Sequence, residues 1–90
     1  MTEPVPTHAQ TRRRRLLFRA THRGSQETDL LLGGFVSGRL EAFGDAELDA
    51  LEEVMELPDA DLADWLTGRR KIPADQDTPL LRAMVAAARR

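Results

Sequence analysis

The side chains that most often carry covalent or metal chemistry are scarce in this chain. Histidine occurs twice, at His8 and His22, serine twice, at Ser25 and Ser37, and cysteine not at all. A zinc site needs several His, Cys or carboxylate ligands at short spacing, and the two histidines are far apart with no such neighbours. His22 falls where a helix is expected to end, where an imidazole can meet the last carbonyls and the negative end of the dipole. Neither serine lies in a nucleophile turn, and Ser25 is placed as a helix cap. Carboxylates are plentiful, but their spacing lays them along an exposed acidic face rather than in a paired acid and base. No glycine-rich phosphate loop is present, because Gly33–Gly34 sits inside an apolar helical pattern and not after a strand. The residues therefore point away from an enzyme, and no metal and no catalytic residue is assigned.

Two arrangements remain. The first is the run Arg12–Arg15, which offers charge for phosphates. It has no interleaved aromatics and no groove-reading helix behind it, and the net charge of the chain is −2. It reads as a solvated helix start, and nucleic acid is not expected as a partner. The second is Arg23-Gly24-Ser25-Gln26-Glu27. Gly24 has no side chain, so another backbone can approach closely. Arg23 carries a planar fork of donors, and Glu27 stands in a first helical turn, which favours its ionised form. A corner that presents Arg23 and Glu27 outward is a docking feature. On physics alone the favoured reading is that the two pair with each other across the turn.

The elements that place this corner follow from periodicity. A leader over 1–10, with Pro4 and Pro6 against helix, precedes a helix from about Thr11 to His22 with Thr11 as cap. A second helix runs from about Gln26 to Phe43, with Leu32, Val36, Leu40 and Phe43 on one stripe. Gly33, Gly34 and Gly38 interrupt it at about 1 kcal/mol each relative to Ala. Either another helix approaches closely there, or the helix breaks near Gly33–Gly34. A third helix follows from Asp45 as cap to about Glu56, and a fourth from about Ala60 to Thr67 with Asp59 as cap and Gly68 as stop. The fifth covers about Pro79 to Ala88, capped by Asp77 or Thr78. Trp65, the only tryptophan, is expected in the core beside Leu62 and Leu66. No stretch alternates with period two. The expected fold is all-α, a small single-domain five-helix bundle over 11–90.

With 90 residues and 41% hydrophobic content, the chain can build one modest core but no deep enclosed site. No apolar run approaches the roughly 20 residues of a membrane span, and Met1–Gln10 lacks the apolar stretch of a secretory signal. Abundant Ala, Asp, Leu and Arg beside a single Lys point to a GC-rich bacterial genome, and the absence of cysteine suits the reducing compartment of a cytoplasmic protein. The charge is segregated. Residues 1–24 hold six Arg and one acid, residues 25–68 twelve acids and one Arg, and residues 69–90 six basic residues and two acids. Either this asymmetry steers a partner, or the basic ends fold back onto the acidic middle.

The stretch RLLFRATHRGSQETDLLL, residues 15–32, resembles the succinate dehydrogenase assembly factor (flavinylation factor) family. The likeness rests on the Arg-Gly-x-x-Glu signature at Arg23, Gly24 and Glu27, the Arg-Leu-Leu-aromatic helix before it, and Asp29 leading an apolar run. LPDADLADWL, residues 57–66, is similar to the family's acidic segment, with Asp61-Leu62 leading to Trp65. The resemblance covers residues 12–88. It implies a five-helix bundle that assists covalent attachment of FAD to a histidine of the flavoprotein subunit of succinate dehydrogenase and, in bacteria, of fumarate reductase. That histidine belongs to the partner, and His22 is not its counterpart. The chain itself is then expected to hold no cofactor stably, to be monomeric when free, and not to insert into a membrane. Its partner-binding residues would be Arg23, Gly24 and Glu27, with Asp61 and Asp64 from the acidic segment. Rival readings are an antitoxin-like regulatory module and a small nucleic-acid-binding helical domain.

Overall fold

Helix α1, His8–Thr21, starts three residues before the expected Thr11 cap. Thr7 is the cap, and it closes a reciprocal box with Gln10: the Gln10 N–H donates to Thr7 Oγ1 at 3.1 Å and the Thr7 N–H donates to Gln10 Oε1 at 2.8 Å. Two orphan donors are satisfied at once. The computed structural model describes residues 7–89. The expected leader 1–10 thus lies outside the described residues over 1–6, and over 8–10 it is helix.

Four further helices follow: α2 (Gln26–Arg39), α3 (Asp45–Met55), α4 (Asp59–Leu66) and α5 (Pro79–Ala88). A single 3-10 turn, Leu40–Ala42, ends α2 before the expected Phe43. Among the described residues there is no strand, and the fold is the expected all-α bundle. The capping differs in detail. Gly44 and Pro58 stand at the cap positions of α3 and α4, so Asp45 and Asp59 are first-turn acids instead, stabilised by the positive helix end. Thr78 caps α5 by accepting from Leu81 N–H at 3.2 Å, with Pro79 in the first turn.

Helix α2 is the centre of the bundle and touches α1, α4 and α5. Its Leu32 and Val36 are fully buried with Leu16, Leu48, Leu51 and Leu62. Burying each such side chain is worth about 1.5–3 kcal/mol. Trp65 is 3% exposed and belongs to this core. Leu17 and Val85 are only half-buried at its edge. The helix continues unbroken through Gly33–Gly34. Gly33 faces α1 so closely that a Cβ built there would lie 2.7 Å from Thr21 Cγ2, whereas Gly34 and Gly38 have nothing within 4 Å. Close approach therefore accounts for one glycine of the three.

Part of the charge segregation resolves within the chain. Arg12 donates to Asp49 and, at 2.9 Å, to Glu52, while Arg19 reaches Glu56 at 2.7 Å. Hydrogen bonding from Glu52, then Asp49, raises the Arg12 pKa above its ordinary value. Arg13 donates to the carbonyls of Leu40 (3.3 Å) and Phe43 (2.9 Å). Half of the arginine run thus joins α1 to the turn after α2 and to the acidic face of α3. The phosphate-binding reading of that run loses its basis at Arg12 and Arg13.

Candidate functional site

The corner between α1 and α2 is built from both sides. Gly24 adopts φ +98°, a left-handed conformation that side-chain-bearing residues rarely take. Asp29, one turn into α2, accepts the Arg23 N–H at 2.7 Å and so ties the α2 start back across the turn. Ser25 occupies the cap position but makes no side-chain capping bond. The first-turn N–H groups of α2 thus have no side-chain cap, and the Asp29 carboxylate braces the turn through the Arg23 N–H instead. A Cβ added at Gly24 would meet nothing within 4 Å, so the turn is open to the outside.

Arg23 does not point outward. Its side chain is 9% exposed, with Nε donating to Asp59 at 2.5 Å. Its two terminal nitrogens donate to the carbonyls of Met55 (2.9 Å) and Leu57 (2.5 Å). These carbonyls lie at the C-terminal end of α3, where backbone acceptors lack helical partners. Arg19 adds a second donor to the Met55 carbonyl at 3.3 Å. The expectation of an outward arginine is corrected on this point: the fork closes the α3–α4 turn, because three acceptors converge there and a planar guanidinium matches them.

Glu27 is different. Its side chain is 54% exposed, and its nearest cation, Arg69, is at 3.9 Å. Arg23 and Glu27 do not pair with each other. Beside them, Phe18 is 61% exposed and stacks on His22 with ring centroids 3.9 Å apart. His22 Nδ1 lies 2.8 Å from the Phe18 carbonyl, which fits the expected role at a helix end. Leu30, on the next turn of α2 after Glu27, is 69% exposed. A bare turn, a carboxylate, an aromatic and a leucine thus occur within thirteen residues of chain on two adjoining helices.

Asp61 and Asp64 take other partners. Both accept from Arg70 at 2.8 Å, through Nη2 and Nε respectively. This hydrogen bonding, Asp61 first and then Asp64, raises the Arg70 pKa. Glu27 and Arg69 bring the start of α2 beside the segment that Asp61 and Asp64 hold. Sequence reasoning missed Asp59 as the partner of Arg23. Its only signal was its place in the acidic segment after Pro58, where it was read as a cap. Exposed Phe18 and Leu30 were legible only as hydrophobics off the main stripes. No group of three or more His, Cys, Asp or Glu suited to a metal occurs among the described residues. Nor is any described helix long and apolar enough to cross a membrane.

Comparison with known proteins gives this arrangement its context. Residues 14–88 match the family described as flavinator of succinate dehydrogenase. The chain is 50% identical over 78 residues to the FAD assembly factor SdhE of Acetobacter pasteurianus, covering 87% of this chain and 72% of that protein. It is 42% identical over 65 residues to the mitochondrial succinate dehydrogenase assembly factor 2 of Mycosarcoma maydis, spanning 72% of this chain and 27% of the relative. With the corresponding protein of Dictyostelium discoideum it shares 29% identity over 70 residues, half of that protein's length. The matched span contains the whole Arg23–Glu27 corner and all of α2 to α5, and by it the chain belongs to the family of flavinators of succinate dehydrogenase.

Proposed function

We propose that this protein is a non-catalytic assembly factor that binds the flavoprotein subunit of succinate dehydrogenase and promotes covalent attachment of FAD to it. Fumarate reductase flavoprotein is a second client of the same kind, and the free factor acts as a monomer in the bacterial cytoplasm. The docking surface is the α1–α2 corner. Gly24 admits a partner backbone and Glu27 offers it a carboxylate. Arg23 acts from behind, locking the corner to the α3–α4 turn. Asp61 and Asp64 contribute by holding Arg70 rather than by touching the partner first. The attachment chemistry stays with the flavin and the partner. The factor raises its rate by favouring the geometry in which the bond forms.

The observation that carries this reading is the open Gly24 turn with φ +98° beside an exposed Glu27, within a span matched to the flavinator family. In a strain lacking the protein, covalent flavin on the succinate dehydrogenase flavoprotein is read by in-gel fluorescence after restoring wild type, Gly24→Ala, Gly24→Arg or Glu27→Ala. Wild type restores the signal. Gly24→Ala and Gly24→Arg share the same backbone strain, about 1–2 kcal/mol, but only arginine adds bulk. Alanine is expected to retain partial function and arginine none, with both folded by circular dichroism. A folded Gly24→Arg that restores full flavin rules out the docking site. Equal flavin with and without the protein rules out the function.

A further inference from the structure

Where Trp65 of α4 meets the loop to α5 and α5 itself, there is a cleft of about 330 Å³. Four cations line it: Arg70, Lys71, Arg82 and Arg89. Two are held in place by acids yet keep free donors. Arg70 gives Nε and Nη2 to Asp64 and Asp61, and Arg82 gives Nε to Asp77 at 2.8 Å, so among the described residues Nη1 of Arg70 and both terminal nitrogens of Arg82 remain unengaged. Lys71 and Arg89 make no ion pair among the described residues. Arg89 is positioned over Gly68, where an added Cβ would lie 3.7 Å from its Nη2. Asp77 is the one carboxylate in the lining, and Arg82 neutralises it.

The lining also includes the apolar residues Trp65, Ile72 and Val85. Trp65 is 3% exposed, and its indole N–H has no hydrogen-bond partner among the described residues. Buried donors are seldom left so. The four cations outnumber the three acids that hold two of them, Asp61, Asp64 and Asp77, and leave a net positive charge, and guanidinium groups with free terminal nitrogens suit the oxygens of a phosphate. The apolar residues suit an organic body attached to that phosphate.

We propose that this cleft binds a phosphate monoester, with the phosphate on Lys71, Arg89 and the free ends of Arg70 and Arg82, and the organic group against Trp65 and Val85. The site is separate from the α1–α2 corner and does not depend on its role. Because the sequence has one tryptophan, a single indole N–H signal in a nitrogen-edited NMR spectrum reports on it. The full chain is titrated with phenyl phosphate and with inorganic phosphate, each at ionic strength fixed by sodium chloride. Phenyl phosphate is expected to shift the Trp65 signal saturably and to bind more tightly than inorganic phosphate. The exposed double variant Lys71→Gln/Arg89→Gln should weaken it by about tenfold, while Lys71→Arg/Arg89→Lys and Arg14→Gln, on α1, should not. Equal binding of the two phosphates removes the organic subsite and with it the monoester. No shift beyond the chloride control, or an unchanged affinity in the double glutamine variant, overturns the site.

Discussion

The guanidinium of Arg23 meets the carboxylate of Asp59 at 2.5 Å across thirty-six residues of chain. This contact fastens the α1–α2 corner to the start of α4, and the same fork satisfies the Met55 and Leu57 carbonyls. Replacing it by lysine keeps the charge but cannot reach three divergent acceptors. Arg23→Lys is therefore expected to lower unfolding free energy by about 1–3 kcal/mol, the cost of leaving buried acceptors unmet. Urea denaturation checks it. Asp59→Asn should cost less, because the two carbonyl bonds survive. If Arg23→Lys unfolds at the wild-type urea midpoint yet abolishes flavin attachment, Arg23 faces the partner and not the α3–α4 turn.

The three glycines of α2 give a contrast in sign. Gly34→Ala and Gly38→Ala add a methyl into open space, and each should stabilise by up to about 1 kcal/mol through helix propensity. Gly33→Ala drives its Cβ to 2.7 Å from Thr21 Cγ2 and should destabilise. Thr21→Ser removes that methyl while keeping the hydroxyl, which bonds the Leu17 carbonyl at 3.0 Å. The double variant Gly33→Ala/Thr21→Ser should recover most of the loss, giving a favourable coupling energy in a thermal-denaturation cycle. Additive effects would mean that the contact does not limit α1–α2 packing.

Much of this was legible in the residues. The apolar stripes of α2, α3 and α5 and the glycine stops place five helices within a few residues of their observed bounds. The early start of α1 was also written, as Thr7-x-x-Gln10, but Pro4 and Pro6 drew attention to the wrong feature. Proline forbids helix only over its own turn, and the cap follows directly after Pro6. The motif was legible as a turn, and Gly24 has the positive φ it requires. The destination of Arg23 was not. Its partners lie more than thirty residues away, and only packing of α3 against α1 brings them together. The same limit hid the pairing of Arg70 with Asp61 and Asp64.

Thr28 supplies a test from inside the corner. Among the described residues it is the one fully buried polar side chain, it lies next to Glu27 in α2, and its hydroxyl has no hydrogen-bond partner there. A buried, unsatisfied hydroxyl carries a desolvation penalty of about 1–3 kcal/mol. Valine has nearly the same shape and the same preferred helical rotamer. Thr28→Val should therefore be neutral or stabilising, raising Tm by up to about 4–8 °C per kcal/mol regained in a domain of this size. Most core substitutions go the other way, so the sign alone is informative. A clear drop in Tm would mean that the hydroxyl is bonded in solution, to water or to the α2 backbone, and that the α1–α2 corner is wetter than its packing indicates.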